Sequence, residues 1–466
     1  MIYDALVEPG FRSAMLKAIS RRQRFKGEEG ELAASHPRRF FRLLRGFTGE
    51  ASESALLKGE QSNTSVVYKD RFKLKLYRRL EEGISPEVEI GLFLSEKENF
   101  PNAASVAGVL EYRPRDKNQP VTMGILHEYI PGGDDAWDYT QDWLKRYFEQ
   151  ALATPGAEVP QPMGRSLLDI CEEDIPLVAK ETIGLYLASA ELLGQRTAEL
   201  HLALASATDE PELVPEPFSV TYQRSLYYGM RRFSLEVLQL LRQNLKQLPN
   251  ETKTDAQRVL SLQSTIIGRF HDVTRQKITG MRIRCHGDYH LGQVLYTGND
   301  FIIIDFEGEP ARHLGERRIK RSPLRDVAGM IRSFHYATHA ALRAQTSAIS
   351  RPEDLPVLKE WAQAWYYWVS ATFLKSYLEL MADTPVLPQN RESMQVLLDA
   401  YLLDKAIYEV NYELNNRPDW VGLPLEGILQ VLGIDDERED EGKKNKDPLT
   451  APIAEIKQEK APGQKF

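Results

Sequence analysis

The apolar positions fall into two regimes. Val66-Val67-Tyr68, Phe72-Lys73-Leu74-Lys75-Leu76 and Gly124-Ile125-Leu126-His127-Glu128-Tyr129 are short, apolar or alternating, and separated by breakers, which predicts strands. Pro86 opens a run, Glu87-Val88-Glu89-Ile90-Gly91-Leu92-Phe93-Leu94, whose apolar residues fall at helical spacing, so one helix is expected to cross that small sheet. Ahead of it, Phe11 to Ile19 has helical spacing, and the basic cluster Arg21-Arg22-Gln23-Arg24 reads as a solvated helix end. From about residue 133 the helical period takes over, with helices expected over 181–204, 225–248, 256–276, 355–381 and 394–414. Between them Val294-Leu295-Tyr296, the turn Thr297-Gly298-Asn299-Asp300 and Phe301-Ile302-Ile303-Ile304 form a hairpin.

These elements describe an α+β, bilobal chain. Residues 1–55 read as a short cap, 56–132 as a β-rich N-lobe, and 133–433 as a helical C-lobe. Residues 434–466 carry Asp435 to Glu441 and then Lys443-Lys444-Asn445-Lys446 with no large apolar anchor, so a disordered tail is expected.

Composition narrows the class. The chain has 466 residues, 42% of them apolar and 27% charged, which is ordinary for a soluble globular protein. A net charge of −8 gives no basic surface for nucleic acid or an acidic membrane. Two cysteines, Cys171 and Cys285, are too few for a disulfide framework. No apolar run is long enough to span a bilayer and the start is no signal peptide, so a cytoplasmic protein is expected.

The chemistry concentrates around the hairpin. His286-Gly287-Asp288-Tyr289-His290-Leu291-Gly292-Gln293 precedes its first strand, and Asp305-Phe306-Glu307 follows its second. Paired strands bring their outer ends together, so Asp288, Gln293 and Asp305 should converge. Phosphoryl transfer needs such a set: one carboxylate to orient or deprotonate the attacking hydroxyl, and an amide plus a second carboxylate to hold Mg²⁺ against the phosphates of ATP. Asp288 is therefore the candidate catalytic residue, against the plainer reading of a turn-capping aspartate. Gln293 and Asp305 are the candidate metal ligands. His286 is expected to support the loop, Asp326 to brace it through backbone N–H groups, and His290 to touch the acceptor.

The N-lobe offers the nucleotide partners. Lys73 and Lys75 share one strand face, and Lys75, deeper in the apolar run, is the expected phosphate-neutralising ammonium. Glu89 on the following helix is its expected ion-pair partner, with Glu87 the second choice. Gln61, Ser62, Asn63 and Thr64 occupy the place of a phosphate-covering loop, although no glycine-rich motif is present. Glu128 and Tyr129 read as the hinge that would receive adenine.

These motifs resemble the aminoglycoside phosphotransferase-like branch of the protein-kinase fold. Within it, His286 to Gln293 and Asp305-Phe306-Glu307-Gly308-Glu309-Pro310 are similar to the maltokinases. The similarity continues through Lys58 to Ser65, Ser322 to Met330, Lys405-Ala406-Ile407-Tyr408-Glu409 and Arg417-Pro418-Asp419-Trp420, spanning roughly residues 56–425. It implies ATP-dependent phosphorylation of maltose to maltose 1-phosphate, which feeds α-glucan and glycogen synthesis from trehalose-derived maltose, with a trehalose synthase subunit as partner. It also implies a sugar site at Lys405, Tyr408, Glu409, Tyr412 and Trp420. A helical face mixing tyrosines with Lys and Glu suits a sugar, whose C–H faces pack on rings. The chain departs from the wider pattern at Gln293, where Asn is usual, and at Glu307, which replaces the glycine of Asp-Phe-Gly and is expected either to support the metal ligands or to form part of the sugar pocket. Its cap is shorter than the family's. Two rival readings remain: a kinase of another small alcohol, such as an aminoglycoside, and a pseudokinase module that binds a trehalose synthase.

Overall fold

The computed structural model describes residues 4–44, 54–57, 63–116, 119–153, 162, 165–348 and 354–434. Gln61, Ser62 and all but the first residue of the charged tail lie outside that set.

Seven antiparallel strands form the N-terminal sheet. They are β1 (Arg24–Lys26), β2 (Gly30–Ser35), β3 (Ser54–Leu56), β4 (Asn63–Tyr68), β5 (Phe72–Tyr77), β6 (Val106–Pro114) and β7 (Val121–Glu128). Their order is β1-β2-β6-β7-β5-β4-β3. Leu16, Ile19, Phe40, Val66, Phe72, Leu74, Ala107 and Leu126 form one apolar cluster, so the helix Pro9–Ser20 backs one side of the sheet. Val88, Val106, Val109 and Ile125 form another, which seats the helix Pro86–Leu92. Alternation along β5 then separates Phe72 and Leu74, both fully buried in the first cluster, from Lys73 and Lys75.

The sheet crosses the boundary drawn at residue 55, since β1 and β2 belong to the first segment and β3 straddles the line. The basic cluster is also more than a helix end. The helix stops at Ser20, Arg22 takes a left-handed φ of 49°, and Arg24 begins the edge strand β1.

The C-terminal lobe packs around the helix Asp354–Met381, which is buried along most of its length. Against it lie Tyr186–Ala205 and Leu324–Ala348, and Arg391–Asn416 packs on the latter. The expected helix over 181–204 is broken at Gly184, whose φ of 63° ends Leu177–Ile183 before Tyr186 starts the next helix. The helix expected over 256–276 is likewise two, Asn250–Ser261 and Gln263–Asp272. The hairpin forms as Val294–Tyr296 against Phe301–Ile303, and Asp134–Asp135 adds a third short strand. Among the described residues, no helix is long and apolar enough to cross a membrane.

Candidate active site

The loop that carries Asp288 is built from a buried carboxylate. Asp326, in the first turn of Leu324–Ala348, accepts the backbone N–H of His286 at 2.7 Å and of Gly287 at 3.0 Å. His201 Nε2 lies 3.3 Å from the same carboxylate, and Tyr377 holds the other side of that imidazole at 3.0 Å. Burial pushes the Asp326 carboxyl up, but His201, His286 and these N–H groups outweigh it and hold the group below its usual range. Gly287, at φ 87°, makes the turn. A Cβ there would stand 3.3 Å from the Gly308 Cα of the facing loop.

Two hydrogen bonds join this loop to the segment that leads into Asp305-Phe306-Glu307, the candidate metal loop. His286 Nε2 bonds the Ile304 carbonyl at 2.8 Å, and the Ile304 N–H donates to the Gln293 carbonyl at 3.0 Å. Gln293 is thereby seated across from the residue preceding Asp305. Asp305 adopts a left-handed φ of 67°, a conformation that costs a non-glycine residue energy and that clusters at functional sites.

Lys75 meets Asp305 from the N-lobe. Its ammonium contacts Asp305 Oδ1 and Glu307 Oε1 closely and Glu87 Oε2 at 3.2 Å. Burial alone would lower the Lys75 pKa, but Glu87, Asp305 and Glu307 together raise it well above the ordinary lysine value. Glu87 is fixed by the Tyr77 hydroxyl at 2.6 Å and by His127 at 3.0 Å.

The partner of Lys75 is thus Glu87, not Glu89. Glu89 faces the other way, toward Arg284 at 2.5 Å and Arg318 at 2.8 Å. Two positions apart on a helix are about 200° apart around its axis, so only one of these carboxylates can reach the cleft.

The remaining nucleotide candidates divide. Asn63 Nδ2 donates to Glu307 Oε1 at 3.0 Å and so touches the metal loop. Thr64, one position on, faces the other side of the strand, where Arg78 reaches its hydroxyl at 3.0 Å. The N–H of Glu128 bonds the Ser105 carbonyl and that of Tyr129 the Arg71 carbonyl, so both hinge amides are already engaged.

A small cavity of about 20 Å³ opens beside Asp288, walled by Glu309, Arg312, Arg325, Tyr401, Asp404, Lys405 and Tyr408. Lys405 Nζ stands 3.4 Å from Asp288 Oδ1 and 4.9 Å from the centre of the Tyr408 ring. Burial pushes Asp288 up, yet Lys405, His290 and His286 bring it below the usual carboxylate range. His290 sits 4.0 Å from the other Asp288 oxygen, beside the cavity rather than in its wall. The buried hydroxyl of Tyr401 has no hydrogen-bond partner among the described residues.

Four expected acceptor residues lie elsewhere. Glu307 is turned to the N-lobe, where Lys75 and Asn63 hold it. Glu409 is buried in an ion pair with Arg332 at 2.6 Å. Tyr412 is half exposed under the Arg417 guanidinium, and Trp420 lies between Arg343 and Arg417. Tyr412 shares a helical face with Tyr408 but stands about 6 Å further along the axis, past the cavity. Glu309, Arg312, Arg325 and Asp404 line the cavity and were not singled out from the sequence. Glu309 and Arg325 fall inside the quoted motifs, so position in those motifs was the available signal.

A small β lobe and a helical lobe, joined at a cleft with a Lys–Glu pair and two acidic loops, define the bilobal kinase-like fold. No family model matches the chain. It is 22% identical over 317 residues to a glucosamine kinase of Streptacidiphilus jiangxiensis, covering 67% of this chain and 58% of that relative's length. It is 22% identical over 393 residues to a glucosamine kinase of Mycolicibacterium smegmatis (strain ATCC 700084 / mc(2)155), covering 84% and 83% of the two chains. A crystal structure of glucosamine kinase superposes with a TM-score of 0.61 at 20% identity, covering 92% of this chain and 82% of that one. A second, in complex with glucosamine, ADP and inorganic phosphate, gives 0.58 at 18% identity over 86% and 91%.

Proposed function

We propose that this protein is an ATP- and Mg²⁺-dependent sugar kinase. The observation that carries the reading is Lys75, held by Glu87 and set against Asp305, while Asp288 faces a separate polar cavity. One cleft thus has a phosphate-neutralising ammonium on one side and a candidate base on the other. Asp288 accepts the acceptor hydroxyl's proton or aims that hydroxyl at the γ-phosphorus, and Lys405 keeps it ionised. The oxygen donors of Asp305 and Gln293 are of the kind a hard cation takes, and the carboxylates of Glu87, Asp305 and Glu307, within 4.8 Å of one another, gather around the Lys75 ammonium. Asp305 and the Gln293 amide would hold Mg²⁺, which would supply positive charge against the phosphates. Asn63 and Glu307 close the phosphate side.

Two acceptors are in contention. Maltose is the one the motif resemblance implies. With it would come maltose 1-phosphate as product, a role in glycogen synthesis and a trehalose synthase partner. Glucosamine is favoured by the names of the relatives, while the cavity wall is mixed in charge, with Asp288, Glu309 and Asp404 facing Arg312, Arg325 and Lys405. Of the aromatic side chains expected to pack on a sugar, Tyr408 lines that cavity and Tyr412 and Trp420 stand outside it. The unpartnered Tyr401 hydroxyl supports a hydroxylated ligand of either kind.

The test is ATP consumption with Mg²⁺ and glucosamine, maltose, glucose, trehalose or kanamycin, with the phosphate position read by NMR. Turnover on glucosamine but not glucose supports glucosamine as the acceptor. Turnover on maltose with phosphate at C1 restores the maltokinase assignment. Kanamycin turnover moves the protein to the aminoglycoside class, and absence of Mg-ATP binding leaves the pseudokinase.

A further inference from the structure

Glu87 reaches Lys75 only if the helix Pro86–Leu92 is correctly placed, and two carboxylates flanking Glu87 are gripped by a segment of the other lobe. Just after the metal loop, the chain crosses to the N-lobe as a short helix, Leu314–Arg317. The Leu314 N–H donates to Glu81 Oε2 at 3.0 Å, and Arg317 Nη2 donates to Glu81 Oε1 at 2.6 Å, so both oxygens of Glu81 are clasped. Arg318 holds both oxygens of Glu89 at 2.8 and 3.3 Å. Arg317 also donates to the Glu307 carbonyl at 3.4 Å, linking the grip to the metal loop. At Gly83 a Cβ would meet Leu314 Cδ2 at 2.7 Å, so the Leu314 side chain packs directly on the Gly83 backbone.

We propose that Glu81–Arg317 and Glu89–Arg318 form an inter-lobe latch that positions the Glu87 helix, and through it the Lys75 ammonium, for nucleotide phosphates. The four are positioning residues. The contact is ionic rather than apolar, with Arg318 23%, Glu81 19%, Glu89 12% and Arg317 9% exposed, and the buried Arg284 holds Glu89 as well. The latch holds only the nucleotide side, because none of its residues lines the acceptor cavity.

This inference rests on the kinase reading, and the experiment separates the two. Mg-ATP binding is measured by calorimetry, both KM values by turnover, and amide exchange over Pro86–Leu92 by mass spectrometry. The proteins compared are wild type, Arg317→Ala, Arg318→Ala and the swapped pair Glu81→Arg with Arg317→Glu. Each alanine variant is expected to weaken ATP binding roughly tenfold and raise its KM alike, with acceptor KM changed less than about twofold. Exchange over Pro86–Leu92 should quicken, and the swapped pair should recover part of the loss, since it restores the ion pair but not the bond from the Leu314 N–H. Unchanged ATP affinity with unchanged exchange, or equal losses in both KM values without recovery in the swap, overturns the latch. If wild type does not bind Mg-ATP, the kinase reading falls. Exchange over Pro86–Leu92 then decides the latch alone.

Discussion

Lys405 Nζ stands 3.4 Å from Asp288 Oδ1, and that contact joins the last long helix of the chain to the loop carrying the candidate base. Burial raises the Asp288 pKa, and Lys405 is the largest of the charges that bring it below the ordinary range. A carboxyl acts as base only above its pKa, so removing Lys405 should raise the pH at which activity appears. Lys405→Met is expected to move the acid limb of the kcat/KM profile up by about one pH unit. Profiles of wild type and variant that overlay would show that Lys405 does not set the ionisation of Asp288. Asp288→Ala should abolish turnover while leaving the thermal unfolding midpoint within a few degrees of wild type.

The two glutamates of the Pro86–Leu92 helix should separate in kinetics. Glu87→Ala leaves Lys75 facing only the metal-loop carboxylates and should cost about 100-fold in kcat/KM, with kcat itself falling. Glu89→Ala acts through Arg318 and Arg284 at a distance from the phosphates, and should cost roughly tenfold, mainly in the KM for ATP. Equal losses in kcat from both variants would contradict the assignment of Glu87 as the partner of Lys75.

That pair also shows what can be read before folding. The helix was legible, because proline at its start and apolar residues at helical spacing are local signals. Which of Glu87 and Glu89 meets Lys75 depends on the rotation of the helix against the sheet. Val88, Val106 and Ile125 fix that rotation, and two of these belong to strands distant in sequence. The hairpin was legible for the same local reason. β6 was not, because Ala107 and Gly108 are weak strand formers and the segment is held by β2 and β7 on either side. On the helix Arg391–Asn416, the face shared by Tyr401, Lys405, Tyr408 and Tyr412 was visible from spacing. How far along it the cavity reaches is set by where Asp288 arrives, and Tyr412 lies beyond that point.

Asp326 offers a test of loop bracing. Its carboxylate is buried and accepts two backbone N–H groups while facing His201. Asp326→Ala strands both donors and should destabilise the protein by about 3 kcal/mol, read as a lower midpoint in urea. Activity should fall further than stability alone explains, since Gly287 and Asp288 lose their anchor. A variant with wild-type stability and turnover would mean that the loop holds its shape without this carboxylate.

Asp399 lies away from the cleft and gives a prediction for stability alone. Burial pushes its carboxyl up to about 6, against the opposing effects of the Gln395 amide at 2.6 Å and of Arg269. In the unfolded chain an aspartate titrates near 3.9. Between those values the folded protein binds the proton more tightly, so folding stability falls as pH rises through the window and stays reduced above it. Asparagine keeps the acceptor oxygen for Gln395 and carries no charge at any pH. Asp399→Asn should therefore match wild type at pH 4 and exceed it at pH 7.5, by up to about 3 kcal/mol. Chemical denaturation at the two pH values measures the difference. A gain that is the same at both would place the effect in packing rather than in the ionisation of Asp399.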